Sequence, residues 1–196
     1  MIRKKIDFAG TMQLLAVLIA IYVMVIFRGG YEYGRNDSMQ LAYSVHLHDH
    51  ELYQGDLYIQ QISSVVPNER YFFCGLMSVF GDLAFPAMAG HIIVSLLLFL
   101  AVYRIASVFI KEIKMLRWLA LFVIFVVMYN VNLGGCELYY NNFFVSMIAK
   151  TAGAWGIYFL LRYRYGLAYI LSALATFFHP VAGLHLFMII TVVIIV

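Results

Sequence analysis

Six polar side chains stand where they could do chemistry at the edge of an apolar bundle. Asp37, in GGYEYGRNDSMQLAYS, lies about nine residues beyond the first long apolar run. A carboxylate there can take a proton from an acceptor hydroxyl once geometry brings the two within ~3 Å. The same residue has a structural use. With Gln40 three positions on, it reads as the N-cap of a helix with a capping box, and a capped carboxylate is also a fixed one. Asp56, in YQGDLYIQ, is a second acid of the same segment. Beside a glycine it reads first as a turn residue and second as a substrate contact.

Lys150 lies about eight residues inside another apolar run, ~12 Å from its end at helical rise. An ionisable group at that depth costs at least ~2.5 kcal/mol and faces a cavity or a partner. A lysine there can hold a lipid phosphate or pair with an acid; snorkelling to the interface is the alternative. His179 precedes Pro180 at the break of a further apolar stretch and reads either as a helix–helix hydrogen bonder or as a catalyst. In CELYYNN, Glu137 and Asn141 flank Tyr139 and Tyr140. Rings beside an amide and an acid suit a sugar, and tyrosines also form interfacial belts. With 15 Tyr and 16 Phe in the chain, an aromatic cluster discriminates weakly.

HLHDHE (His46, His48, His50, with Asp49 and Glu51) invites a metal, since His46 and His50 share a helix face. No cysteine or distant ligand pair completes it, so the stretch reads as a polar helix end and no metal ligand is assigned. His91 is assigned to packing. Cys74 and Cys136 both map to one side of the chain, where pairing would staple two loops; spacing does not decide whether they pair.

The elements that position these groups follow from composition. The chain has 196 residues, 64% hydrophobic and 12% charged. Soluble domains run at ~45–50% apolar and ~25% charged, so a soluble globular fold is excluded, as is disorder. The net charge of +3 comes mostly from the flanks of apolar runs, which leaves no support for nucleic-acid binding. The first run lacks a small-x-small cleavage site and is no signal peptide. A membrane helix needs ~20 mostly apolar residues. Runs at 9–28, 86–109, 117–133 and 142–162 qualify, and a fifth, broken at His179-Pro180, predicts two shorter helices at 166–178 and 181–196. The expected fold is therefore all-α, a polytopic bundle of 5–6 spans in a single domain over 1–196.

Arg3, Lys4 and Lys5, then Arg104, Lys111, Lys114 and Arg117, then Arg162 and Arg164 all fall on one side if the N-terminus is cytoplasmic. The loop 29–85 then lies outside. Within it the sequence predicts amphipathic surface helices after Asp37 (Met39, Ala42, Tyr43, Val45) and around 69–81, with Pro86 opening the second span. The last stretch, MIITVVIIV, is apolar to its final residue, which leads us to expect the N-terminal part of a longer chain.

A single span, a long outer loop with an early acid and surface helices, then densely packed helices: this arrangement resembles the GT-C superfamily of membrane glycosyltransferases. NDSMQLAYSVHLHDHELYQGDLYIQ and FFHPVAGL are similar to segments of bacterial membrane proteins with a GT-C-like N-terminal half. The resemblance implies that Asp37 is the catalytic base and that the donor is a sugar on a polyprenyl phosphate, presented from the outer leaflet of the bacterial inner membrane. It adds no cofactor beyond this lipid-linked co-substrate, and a divalent metal has no support in the residues. Lys150 and His179 become candidates for steadying the lipid phosphate, with Asp56, Glu137 and Asn141 as further substrate contacts. The alternative is a non-catalytic scaffold or subunit of the same build that binds membrane lipids or partner membrane proteins. A transporter would need paired broken helices, and only 178–182 looks interrupted.

Overall fold

The computed structural model describes residues 8–29, 38–68, 70–80, 83–127, 139, 143 and 145–195. Among them there is no strand, and nine α-helices follow one another. They are α1 (Phe8–Gly29), α2 (Ser38–His48), α3 (Leu57–Ser64), α4 (Tyr71–Ser78), α5 (Ala84–Phe109), α6 (Lys114–Phe122), α7 (Val145–Leu161), α8 (Tyr165–Phe178) and α9 (Pro180–Ile195), with a π-helical turn, Val123–Val127, continuing α6.

Among the described residues two helices, Gly10–Arg28 and Ala84–Phe109, are long and apolar enough to cross a membrane. The helices α7, α8 and α9 are as apolar but shorter, at 17, 14 and 16 residues. The run expected at 142–162 starts its helix at Val145, because Phe143 is not helical. The run expected at 117–133 begins earlier, at Lys114, and its end lies outside the described residues. His179-Pro180 does divide two helices. His179 is extended (φ −152°), which the following proline demands of its neighbour, and Pro180 takes the first helical position, where its missing N–H costs nothing.

The core sits where α1, α5, α6 and α7 meet. Leu18, Ile21 and Val25 of α1 join Leu98 and Phe99 of α5, Leu121, Phe125 of the π turn, and Met147 of α7. The wide π turn brings Phe125 against Phe99, ring centroids 4.4 Å apart. Helix α7 then carries the other half of the bundle, packing on α5, α8 and α9. It does so with small residues: Ala149, Ala152 and Ala175 form one contact cluster, and Leu160 and Ala168 meet Leu186 and Ile190 in another. At its far end α7 stops on Tyr163, whose φ of 57° is the left-handed turn of a helix C-terminus.

The segment expected as an outer loop holds three helices rather than two. Helix α3 is the one the sequence reading missed, since Asp56 read there as a turn. Its carboxylate is the N-cap: Oδ1 accepts from the Tyr58 and Ile59 amides at 2.8 and 3.1 Å. Together α2, α3 and α4 form a cap over one end of the bundle. Tyr43, Ile59, Phe73, Cys74 and Met77 of the cap share a buried cluster with Ala87 at the start of α5, and with Phe143 and Val145 at the start of α7. The apolar face of α2 thus packs on protein. Because helix directions alternate, this cap lies at the end opposite Arg104, Lys114, Arg162 and Arg164.

Cys74 is a free thiol at the centre of the cap, fully buried and donating to the Gln40 carbonyl at 3.4 Å; Cys136, its expected partner, lies outside the described residues. Burial pushes the thiol up to about 11, against which the Ser44 hydroxyl and the Arg70 charge pull more weakly. Thiolate is the reactive form, so moving the thiol from its ordinary 9.0 to about 11 cuts the reactive fraction about a hundredfold at pH 8. In a Cys136→Ser background, maleimide is therefore expected to label Cys74 only after denaturant opens the cap. Rapid labelling of the native protein would contradict the burial. The unfolded chain releases this proton near pH 9 and the folded chain near 11, so the cap loses stability as pH rises through that window.

Candidate functional site

Of the residues singled out for chemistry, Asp37, Glu137 and Asn141 lie outside the described residues. Asp37 immediately precedes α2, which belongs to the cap. The others are placed. Lys150 is half-buried in the second turn of α7. Its neighbour Ala149 clusters with Ala175 and Phe178 of α8, which puts Lys150 at the level where α8 ends, one residue before His179. The cap closes over the same level, with Phe72 of α4 edge-on to Phe177 of α8 at 5.0 Å. The start of α2, the first turns of α7 and the His-Pro break therefore converge at one end of the bundle.

His179 has a local task that explains its position. Its Nδ1 accepts the Ala182 amide at 3.3 Å, and its carbonyl accepts the Gly183 amide at 3.0 Å, so it caps α9 while Pro180 opens it. An Nδ1 that accepts holds the neutral ring in the tautomer with its proton on Nε2. That leaves one N–H able to donate to an anion. Asp56 is likewise used in capping and stands on the exposed face of the cap.

Unsatisfied polarity gathers around the cap. Gln40 Oε1 in α2 and Ser146 Oγ, one turn before Lys150 on α7, are buried with no hydrogen-bond partner among the described residues. Buried polar atoms without partners are uncommon, and Tyr43 Oη and Ser63 Oγ of the cap are two more. The metal reading of HLHDHE gains nothing: His46 gives its Nδ1 to the Leu52 carbonyl and His48 to that of Ser78, both at 2.7 Å. Among the described residues no three His, Cys, Asp or Glu groups are placed to hold a metal ion.

The sequence reading gave one polar group a place but no partners. His91, assigned to packing, is fully buried in α5 and bonded on both ring nitrogens. Tyr22 Oη lies 2.9 Å from Nδ1 and Tyr139 Oη 3.2 Å from Nε2. Ser95 donates to the His91 carbonyl at 2.6 Å and lies 3.3 Å from Tyr139 Oη. Tyr139 is therefore no interfacial ring. It is 1% exposed and packs on Phe99 and Phe125, because its hydroxyl has a partner inside. The available signal was the His91–Ser95 spacing, two polar residues on one face of an otherwise apolar helix.

No protein-family model, curated protein or solved structure matches this chain.

Proposed function

We propose that this chain is a polytopic membrane protein of 5–6 spans, GT-C-like in build, that transfers a sugar from a polyprenyl-phosphate carrier to an acceptor at the outer face of a bacterial inner membrane. The carrying observation is the convergence under one cap of the start of α2, the Lys150 turn of α7 and the His179 break. The spans are α1, α5, the α6–π segment, α7, and α8 with α9 on either side of the break. Their outward faces support a lipid setting: Ile93 of α5, Ile170 of α8 and Val192 of α9 are 58, 64 and 59% exposed. Soluble monomers rarely expose apolar patches beyond a few hundred Å². The basic ends of α5, α6 and α7 lie away from the cap, which supports an orientation with the cap outside and the N-terminus in the cytoplasm.

In this reading Asp37 removes the acceptor's hydroxyl proton. The freed oxygen attacks the anomeric carbon from the face opposite the lipid phosphate, and the carbon–oxygen bond to that phosphate breaks with inversion. Lys150 and the Nε2–H of His179 receive the charge left on the phosphate. General-base catalysis contributes about 10²–10⁴-fold, so Asp37→Asn is expected to lower transfer at least about a hundredfold. Lys150→Met is expected to lower it about tenfold or more, through loss of a charge-assisted contact. The assay is transfer of labelled sugar from polyprenyl-phosphate hexoses by the purified chain in proteoliposomes, with unchanged melting temperatures as the folding control. Undiminished transfer in both variants would sink the reading.

The capping duties of Asp56 and His179 favour a second reading, a non-catalytic subunit of the same build, in which the polar residues organise helices rather than bind substrate. It predicts no transfer by the native chain and stoichiometric co-purification with another membrane protein.

A further inference from the structure

At the end of the bundle away from the cap, α1, α5 and α6 enclose a cavity of about 550 Å³. Three cations line it: Arg104 near the end of α5, and Lys114 and Arg117 in the first turn of α6. Gln13 of α1 adds an amide, and no acid is among the described lining residues. Glu112, the acid of the α5–α6 loop, is exposed and is not part of the lining.

The three cations are not equivalent. Arg117 is half-buried and fixed, with Nε donating to the Ile110 carbonyl at 2.7 Å and a terminal nitrogen to the Lys111 carbonyl at 2.6 Å. It holds the loop. Arg104 and Lys114 are exposed, and their charged groups have no partner among the described residues. The first turn of α6 also lacks a side-chain cap, so its leading amides add to the positive field. Below the cations the wall turns aromatic. Tyr103 and Trp118 stack at 4.3 Å with planes 29° apart, and Leu14 and Val17 of α1 continue the apolar lining toward the middle of the bundle.

A cavity with a cationic mouth, an aromatic collar and an aliphatic floor, set at the end of candidate spans, fits one chemistry. We propose that it binds the phosphate headgroup of an anionic phospholipid, with Arg104 and Lys114 on the phosphate and the glycerol and upper acyl carbons against Tyr103 and Trp118. Cations scattered along a membrane face would attract anionic lipid without retaining it. Here three helices bring two uncommitted cations to one aperture, with apolar depth behind them to take the tail. The proposal concerns the end opposite the catalytic reading and stands independently of it.

The test uses the full chain reconstituted in nanodiscs of equal phosphatidylglycerol and phosphatidylcholine, with retained lipid counted by native mass spectrometry. The native chain is expected to retain phosphatidylglycerol selectively. At roughly fivefold per cation near an anionic surface, Arg104→Gln/Lys114→Gln is expected to weaken that retention about thirtyfold. Arg117 is left in place so that the loop stays formed; if the double variant melts early, Arg104→Gln alone is read, with an expected loss of about fivefold. Lys111→Gln, a cation of the same loop outside the cavity, is expected to retain lipid as the native chain does. Equal retention of the two lipids, an unaffected double variant, or an equal loss in Lys111→Gln would each overturn the proposal. Displacement of the lipid by millimolar glycerol 3-phosphate would also overturn it, assigning the cavity to a soluble phosphate ester.

Discussion

Replacing Gly183 with alanine is expected to lower the melting temperature of the protein in detergent by about 6–12 °C, from a cost of about 3 kcal/mol. Gly183 lies in the first turn of α9, where the chain has just reversed at His179-Pro180. A Cβ added there would stand 2.5 Å from the Thr176 Cα and closer still to its backbone nitrogen and hydroxyl. Two of these three atoms are main chain, so no rotamer change relieves the clash, and α8 and α9 must separate. Separation breaks the bond from the Ser172 hydroxyl to the Gly183 carbonyl, 3.0 Å, and loosens Leu186 and Ile190 from Leu160 and Ala168. It also moves His179, four residues away, so under the proposed transfer reading activity should fall with stability. Gly166→Ala is the control, since a Cβ there meets nothing within 4 Å and alanine is the better helix former. Equal melting temperatures for the two variants would show that the α8–α9 approach is looser than the backbone geometry demands.

How far the sequence predicted this architecture can be judged element by element. Apolar run length placed α1 and α5 to within two residues, because a run near twenty residues long has few other uses. His179-Pro180 announced the α8–α9 division, since proline removes a helical donor and restricts the residue before it. Helix α3 escaped because eight residues, LYIQQISS, carry too little periodicity to stand out, and Gly55-Asp56 reads equally as a turn or as a cap. The candidate site was legible as residue types and not as a place. Nothing in the spacing of Lys150 and His179 shows that Ala149, Ala175 and Phe178 bring their turns level, since that depends on how closely small residues let α7 and α8 approach. The cavity around Arg104, Lys114 and Arg117 was visible only as a basic flank, because its third wall comes from α1, some ninety residues earlier.

His91 shows the same limit most sharply, and its removal is the other large effect expected. Its partners Tyr22 and Tyr139 are 69 and 48 residues away, beyond the reach of any local pattern. His91→Leu keeps much of the volume and removes both ring nitrogens, one a donor and one an acceptor, so the part-buried Tyr22 hydroxyl and the buried Tyr139 hydroxyl each lose that partner to an apolar side chain. A polar group that loses a partner inside the fold costs about 1–3 kcal/mol, and since Tyr22 is part-buried and Tyr139 still meets Ser95 Oγ at 3.3 Å, a loss of about 2 kcal/mol is expected, read as a lower melting temperature. Shape alone would make this a mild substitution; the polar term is what makes it severe. A second substitution separates the two. Adding Tyr22→Phe and Tyr139→Phe to His91→Leu removes the two hydroxyls that lost the ring and should recover most of the lost stability, because polar partners removed together leave less unpaired polarity behind. Ser95 keeps its bond to the His91 backbone carbonyl, 2.6 Å, in every variant, and loses only its longer contact to Tyr139 Oη, 3.3 Å, where Tyr139 becomes Phe. A triple variant no more stable than His91→Leu would mean that the cost lies in packing around Phe99 and Phe125, and that the two tyrosine hydroxyls contribute little to holding α1, α5 and the Tyr139 turn together.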